Sequence, residues 1–155
     1  MAKISTSQGD IWLRLFPEST PKTVENFVGL SERGFYDGLI FHRVIPDFMI
    51  QGGDPLGNGT GGESIWGGEF ADEFVAGVSN LRGSIAMANR GANTNTSQFF
   101  INQADNTFLD FKHTVFGQVI SGLSTVDKIT KVDRDANDKP KKDVTMQVKV
   151  FEVAE

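Results

Sequence analysis

The sequence contains no cysteine and only two histidines. Without cysteine the chain can form no disulfide framework, no thiolate nucleophile and no cysteine zinc site. Two histidines cannot complete a structural zinc site unless carboxylates supply the remaining ligands. We therefore expect no metal site.

Positive charge and long apolar runs are also scarce. The 15 basic and 20 acidic residues give a net charge of −5, and no basic block occurs. This balance disfavours a protein that binds nucleic acid through its phosphates. No apolar run is long enough to cross a membrane, and residues 1–10 lack the apolar segment of a signal peptide. These absences predict a cytoplasmic protein that binds neither nucleic acid nor membranes.

Phenylalanine, in contrast, is abundant, with 13 residues against one tyrosine among 155 residues. This ratio predicts a core, and a groove, built from rings that have no hydroxyl to satisfy. The length fits one domain, 1–155, which can bury about two-thirds of the surface of its unfolded chain.

Short stretches of alternating or β-branched residues predict many strands and few helices. Residues 3–16 predict a hairpin that turns at Gly9-Asp10. Further strands are predicted at 40–45, 49–51, 84–88, 98–102, 113–119 and 144–153. Thr20 as N-cap, Pro21 at the first helical position and Gly34 after the end predict one helix, and 122–131 predicts a second. Many short strands with two helices favour a mainly β, closed antiparallel barrel.

The stretch 41–54, FHRVIPDFMIQGGD, predicts two strands around a turn at Pro46-Asp47. If residues 46–48 form the link, Arg43 lies opposite Gln51, and Met49 shares the face of Gln51. An arginine held by an amide beside an apolar wall is typical of a binding site. A half-exposed surface arginine is the alternative interpretation.

Two other patterns suggest chemistry that their surroundings do not support. The GNGTGG run at 57–62 matches a dinucleotide fingerprint, but no helix start follows it, so we reject nucleotide binding. His113 and Ser97 could join aspartates in a hydrolytic triad, but the strained G-x-S-x-G turn is absent. His42 lies within an apolar strand, which favours a core histidine whose hydrogen bonds are satisfied.

Four stretches together closely resemble the cyclophilins, the cyclosporin-binding peptidyl-prolyl cis-trans isomerases. They are 41–54, 58–62, 87–100 and 109–117, and the resemblance covers essentially the whole chain. It implies a closed eight-stranded antiparallel β-barrel capped by two α-helices. Phe108, where many members have tryptophan, is typical of small bacterial-like members.

The resemblance also implies a role for individual residues. It places the catalytic arginine at Arg43, supported by Gln51. It places the proline pocket at Phe48, Met49, Phe100, Phe108, Leu109 and His113. It places the anchors for the peptide backbone at Gln51, Gly59, Ala88, Asn89 and Gln98.

The sequence departs from the family pattern at several positions around this groove. Phe108 lacks the indole N–H donor, so we expect reduced affinity for cyclosporin A. Arg90 adds a positive charge to the rim of the substrate groove where well-known members have a small residue. Phe111 also replaces a small residue, and the loop before Gly59 is one residue shorter than in the commonest pattern.

The implied reaction is rotation about X–Pro peptide bonds in proline-containing peptides and in unfolded or folded client proteins, which assists folding. Amide resonance imposes a barrier of about 18–20 kcal/mol, and rotation needs no nucleophile or cofactor. Arg43 could donate to the prolyl nitrogen as the bond twists, which favours the transition state. Two alternatives remain: a proline-peptide binding or scaffolding module with little turnover, and a hydrolase using His113. We expect a monomer.

Overall fold

A computed structural model of the chain describes residues 1–151. The eight strands found there are β1 (Ala2–Thr6), β2 (Gly9–Leu15), β3 (Phe41–Ile45), β4 (Met49–Gly52), β5 (Ser84–Met87), β6 (Phe99–Asn102), β7 (Val115–Ser121) and β8 (Met146–Val150). The helices are α1 (Pro21–Glu32) and α2 (Leu123–Thr130), with one short 3₁₀ helix at Thr107–Leu109 that the sequence did not predict. Every predicted strand and helix is present, with ends that shift by a few residues. Residues 152 and 153 of the last predicted strand lie outside the described residues.

All eight strands join one antiparallel sheet in the order β3-β4-β6-β5-β7-β2-β1-β8. The mainly β fold with two α-helices is therefore confirmed. Full closure is not confirmed, because β3 and β8 share no ladder. An isolated bridge between Ile40 and Thr145 and a few backbone hydrogen bonds around it, such as Gly38 N–H to Met146 O at 2.9 Å, connect the two edges. The sheet is strongly curled, and its closure into a complete barrel stays a prediction.

The first hairpin turns at a different place from the one predicted. Gly9 and Asp10 belong to β2, where they pair with Thr6 and Ser5, so the turn consists of residues 7–8. Thr6 stabilises this turn because its hydroxyl donates to Gly9 O at 2.7 Å and accepts from Gln8 N at 3.0 Å. The predicted turn at Gly9-Asp10 is therefore wrong, because the hydrogen bonds of the Thr6 side chain stabilise a turn two residues earlier.

Helix α1 begins at Pro21 as predicted, but a side chain distant in the sequence, and not Thr20, caps its first turn. The Thr20 hydroxyl donates to Phe16 O at 3.0 Å and so makes no cap bond to the helix. The Glu73 carboxylate instead accepts hydrogen bonds from the backbone N–H of Lys22 at 3.3 Å and of Thr23 at 2.7 Å. A carboxylate also suits the positive end of the helix dipole, so Glu73 ties its loop to α1.

Both α-helices are short, and α1, the longer, has 12 residues. A helix that crosses the hydrocarbon core needs about 20 apolar residues. Within residues 1–151 no helix has the length and apolar character to span a membrane.

The concave face of the sheet carries an inner core built largely from aromatic rings. Phe27 of α1 lies 5.4 Å from Tyr36, 5.6 Å from Phe99 and 5.3 Å from Phe116, measured between ring centroids. The Tyr36 hydroxyl donates to Ser97 O at 2.8 Å, and complete burial raises the pKa of this tyrosine far above its usual range. The predicted phenylalanine core is thus confirmed, with the tyrosine satisfied inside it.

A second, smaller group of apolar residues lies on the opposite face of the sheet, and we call it the outer cluster. Its buried members are Met49, Ala86, Phe100 and Val115. Partly buried side chains surround it: Phe16, Ile45, Phe48, Val78, Ala88 and Leu109. Phe99 and Phe100 are neighbours on β6, yet they enter the inner core and the outer cluster respectively, because strand side chains alternate between faces.

Candidate active site

The hairpin of β3 and β4 has the register that the sequence predicts. Arg43 pairs with Gln51 and Ile45 with Met49, so residues 46–48 form the three-residue link. Asp47 occupies the link with φ 60, a left-handed conformation that aspartate tolerates better than most residues. Arg43 and Gln51 are therefore neighbours across the two strands.

A bulge in β3 explains why Arg43 is exposed. Phe41 pairs with Gly52 and Arg43 with Gln51, so His42 is an extra residue without a partner on β4. Phe41 and His42 are consequently both buried, and the next side chain, Arg43, turns outwards.

His42 is a core histidine, as predicted, but it is not satisfied. Its Nδ1 has no hydrogen-bond partner among residues 1–151. Burial lowers the pKa of His42 from 6.5, although the nearby Asp54 carboxylate opposes this shift. His42 packs under Gly59, where an added Cβ would lie 3.5 Å from His42 Nε2.

Gln51 does not hold Arg43 in the way that the sequence predicted. Its Nε2 donates to Gln98 Oε1 at 3.0 Å, and Gln98 Nε2 donates in turn to Gly61 O at 2.7 Å. The Arg43 guanidinium instead lies over the Phe48 ring, 6.0 Å from its centroid. No hydrogen bond or ion pair in the described part of the chain engages this guanidinium, which leaves its donors available to a ligand.

Most of the predicted proline-pocket residues meet in the outer cluster. Met49 and Phe100 are 2% and 4% exposed and form its floor. The His113 ring stands edge-on to Phe100 with 5.2 Å between centroids, while Phe48 and Leu109 pack at the sides. The structure thus brings these five side chains together on the face where Arg43 is exposed.

Phe108 lies farther out than the prediction implies. Its ring is 62% exposed and stacks on Phe48 at 6.1 Å between centroids. It lies within the 3₁₀ helix Thr107–Leu109 rather than on a strand, so no sheet face directs it inwards. Phe108 is therefore a rim residue that only a bound ligand could bury.

His113 is held as a wall of the pocket and not as a base paired with a nucleophile. Its Nδ1 lies 2.8 Å from Met87 O. A carbonyl oxygen can only accept, so Nδ1 carries the proton in this contact. Ser97 is fully buried, and its hydroxyl donates to Gly53 O at 2.8 Å. The hydrolytic pair considered from the sequence is therefore absent.

A polar cleft adjoins the outer cluster on the side of Gln51. It is lined by Gln51, Gly59, Thr60, Gly61, Gly62, Ala88, Asn89, Arg90, Thr94, Thr96 and Gln98. All five predicted backbone anchors and Arg90 are in this set. Ala88 also packs against the outer cluster, so the cleft and the outer cluster adjoin in one groove.

The anchors differ in what they can offer to a ligand. The Asn89 side chain donates to Lys112 O at 2.7 Å, but its backbone N–H and C=O make no hydrogen bond within residues 1–151. The Gly59 N–H donates to Asp54 Oδ2 at 2.6 Å, so it is not a free anchor. Arg90 reaches Glu69 at 3.6 Å, and this pair is largely exposed.

Asp54 organises the glycine-rich loop that forms one wall of the cleft. Its carboxylate accepts from the backbone N–H of Leu56, Asn58 and Gly59. Burial acts to raise the pKa of Asp54, but these backbone hydrogen bonds outweigh it and the pKa is lowered. No helix follows this loop, which agrees with the rejection of a nucleotide site.

Some groove residues were not identified from the sequence. Ala86 and Val115 belong to the floor, and Thr60, Thr94 and Thr96 line the cleft. Ala86 shares a strand face with Ala88, so two-residue alternation could have located it. The threonines lie in loops, where no periodicity indicates which side chains face the groove.

Comparison with known proteins identifies the protein family that this chain matches. Residues 1–150 match the family model described as cyclophilin type peptidyl-prolyl cis-trans isomerase/CLD. A Schizosaccharomyces pombe peptidyl-prolyl cis-trans isomerase is 50% identical and is covered over 90% of its length by 89% of this chain. The crystal structure of a Cryptosporidium parvum cyclophilin type isomerase, obtained with the dipeptide Ala-Pro, is 36% identical with a TM-score of 0.94 over 98% of this chain and 99% of that one.

Other relatives are much longer proteins. The chain spans 38% of a Streptococcus pyogenes relative that is 48% identical over 96% of this chain. It spans 23% of a mouse protein with a peptidylprolyl isomerase domain and WD repeats, at 52% identity over 94% of this chain. The match extends along almost all of the present sequence in each case, and the chain belongs to the cyclophilin-type peptidyl-prolyl cis-trans isomerase family.

Proposed function

We propose that this chain catalyses cis-trans isomerisation of X–Pro bonds in peptides and in protein clients, and so assists their folding. The observation that carries the proposal is the position of Arg43. Its guanidinium is exposed, makes no hydrogen bond among the described residues and stands beside the apolar side chains of the outer cluster.

The outer cluster is suited to hold the proline ring. Met49 and Phe100 supply an apolar floor, and Phe48, Leu109 and His113 supply walls. Burial of apolar surface contributes about 25 cal/mol per Å², so a small ring gains affinity here without polar contacts. Holding the ring fixes one side of the X–Pro bond while the other side rotates.

Arg43 could then lower the barrier by donating to the prolyl nitrogen. In the planar amide this lone pair is delocalised and accepts poorly, whereas in the twisted state it is localised on the nitrogen. A donor at this place therefore stabilises the transition state more than either ground state. Arginine also keeps its charge at every relevant pH, and its guanidinium is less strongly hydrated than an ammonium group.

The polar cleft is suited to the peptide backbone beside the proline. Asn89 presents a backbone N–H and C=O that make no hydrogen bond within residues 1–151, and together they can pair with an extended peptide as an added strand would. The Gln51–Gln98–Gly61 chain of hydrogen bonds fixes the wall beside it. The related Cryptosporidium parvum structure, obtained with Ala-Pro, supports a proline-containing ligand for this groove.

The test is NMR exchange spectroscopy on an alanine-rich peptide with one X–Pro bond, with the dissociation constant measured on the same sample. We expect Arg43→Ala to lose about 10²–10³ in exchange rate, the usual cost of one preorganised donor. Peptide affinity should fall by about tenfold or less, because the apolar pocket remains. Arg14→Ala, at another exposed arginine on a strand, is the matched control and should change neither quantity.

The second candidate is a binding module that docks proline peptides with little turnover. The free guanidinium of Arg43 favours the enzyme, since docking alone would not require a donor at the prolyl nitrogen. If the wild type binds the peptide without accelerating exchange, the binding module is correct. If Arg43→Ala folds normally and keeps its rate within a factor of a few, the mechanism above is wrong.

A further inference from the structure

Beyond His113, the apolar surface of the groove continues to a pair of exposed aromatic rings. Phe74 and Phe111 meet edge-on with 6.0 Å between centroids, and they are 41% and 66% exposed. They line a shallow depression together with Val78, His113 and Val115, which belong to or contact the outer cluster, and with the polar residues Glu73, Asn80 and Asp110. The depression therefore shares a wall with the proposed proline pocket.

Phe111 holds its exposed ring at a conformational cost. Its φ is 60, in the left-handed region that glycine and asparagine adopt readily and that a bulky aromatic residue rarely adopts. The remaining non-glycine residues with positive φ in the described chain are Asp47, Asn93 and Asp138, each with a short polar side chain. An unfavourable backbone conformation that persists at an exposed ring beside a binding groove points to a role in binding.

The loops that carry the two rings are fixed in place. The Asp110 carboxylate, next to Phe111, accepts hydrogen bonds from the Ser79 hydroxyl and from the backbone and side-chain nitrogens of Asn80. Glu73, next to Phe74, is bound through its carboxylate to the start of α1, and its N–H donates to Thr114 Oγ1 at 3.0 Å. The aromatic pair is thus a preorganised surface that a ligand need not order.

We propose that Phe111 and Phe74 form a subsite for an aromatic side chain of the substrate, on the side of the proline that passes His113. This inference rests on the proposed function and adds a substrate class to it: X–Pro peptides with an aromatic residue within three positions of the proline. We assign the substrate peptide as the ligand of this subsite because the depression adjoins the outer cluster. A peptide whose proline fills the outer cluster must leave the groove across one of its rims. On this rim the two exposed rings supply the apolar contact surface, while the carboxylates of Glu73 and Asp110 beside them are already hydrogen-bonded within the protein. Aromatic rings pair with aromatic ligands more favourably than with alkyl groups.

The test compares a reference peptide, with alanine at every position around the proline, with peptides that carry phenylalanine at one position before or after it. Exchange rates are measured by NMR, because a protease-coupled assay would add the aromatic preference of the protease itself. We expect the wild type to prefer one phenylalanine peptide over the reference by about threefold to tenfold in kcat/KM. Phe111→Gly and Phe111→Asn should reduce that ratio to near one, while Phe111→Tyr should preserve it.

Two controls separate a binding role from a structural one. Ile120→Ala removes another exposed apolar side chain, 53% exposed on β7, and should leave the ratio unchanged. Glycine and asparagine suit the left-handed backbone, so Phe111→Gly and Phe111→Asn should unfold at a urea concentration no lower than the wild type. Marked destabilisation of both variants would show that the ring packs against the fold and would overturn the proposal.

The remaining outcomes also decide between the two proposals. A wild type that exchanges the reference peptide but shows no phenylalanine preference overturns the aromatic subsite and leaves the isomerase function intact. A preference that survives in Phe111→Gly and in Phe74→Ala assigns the selectivity to another surface and also overturns it. A wild type that accelerates neither peptide overturns the isomerase function, and the subsite with it.

Discussion

The two faces of the curled sheet differ in how completely their apolar residues are enclosed. The inner core has α1 over it, and its rings contact one another on every side, as Phe99 does with Phe27, Tyr36 and Phe41. The outer cluster has only four buried residues and a border of half-buried ones. The same alternating strands therefore produce one face that is complete in the free protein and one that a ligand completes.

Two pairs of neighbouring residues show this contrast most directly. Phe99 is fully buried in the inner core, while Phe100 forms the floor of the outer cluster. His42 is buried beneath the glycine-rich loop, while Arg43 is exposed beside the pocket. Adjacent side chains thus serve stability and function separately, so single substitutions should separate the two properties.

The largest effect is expected from Phe99→Ala compared with Phe100→Ala. Loss of Phe99 should lower the free energy of unfolding by about 3–5 kcal/mol, because the enclosed core cannot fill the cavity. Loss of Phe100 should cost about 3 kcal/mol or less, since its site opens towards solvent, but should weaken peptide binding by about tenfold or more. Urea denaturation and peptide titration of both variants provide the measurement. Equal losses of stability with unchanged peptide affinity in Phe100→Ala would contradict the division between the two faces.

A smaller effect is expected from Phe108→Trp at the rim of the outer face. The indole would add an N–H donor, but the position is 62% exposed, so we expect cyclosporin A to bind about twofold to tenfold more tightly to the variant. Trp12 stacks on Phe151, and Trp66 meets Phe70 edge-on. Neither tryptophan lines the polar cleft or the outer cluster, so only the variant's fluorescence should respond to the ligand. Identical affinities for both proteins would place residue 108 outside the ligand contact.

A change in pH should affect the buried histidine more than the exposed site. Since the pKa of folded His42 is lowered from 6.5, the unfolded chain binds a proton below this pH that the folded protein does not. The contribution of His42 to stability is therefore complete above about pH 6.5 and is lost as the pH falls towards the lower folded pKa. In the wild type the free energy of unfolding should fall between about pH 7.5 and pH 5, and in His42→Gln it should fall by less. His113→Gln, which removes the other histidine, is the matched control, and urea denaturation at each pH provides the measurement. An unchanged pH dependence in His42→Gln would show that the folded and unfolded pKa values are equal.

The smallest effect is expected for the pH dependence of catalysis itself. Arginine keeps its charge over the physiological pH range. His113 is a wall of the pocket whose Nδ1 already donates to Met87 O. We therefore expect kcat/KM to change less than about threefold between about pH 5.5 and 8.5. A sigmoidal loss of about an order of magnitude centred near pH 6.5 would instead indicate acid–base catalysis by a histidine.

The local part of the structure was determined by the sequence alone. Two-residue alternation and the three-residue link at 46–48 are properties of a short segment, so they were sufficient to place Arg43 opposite Gln51. Pro21 likewise located the start of α1. The turn of the first hairpin was one exception, because the Thr6 side chain competed with the expected Gly-Asp turn. The 3₁₀ helix at Thr107–Leu109 was another.

Contacts between distant segments were decided only by the tertiary structure. Gln51 binds Gln98, 47 residues away, and Glu73 caps α1 across 50 residues, while Phe74 meets Phe111 across the groove rim. Periodicity reports which face of a strand a residue occupies, but not which loop folds over that face. The exposure of Phe108 and the missing hydrogen-bond partner of His42 depend on such loops. Neither feature could therefore be predicted from the segment that contains the residue.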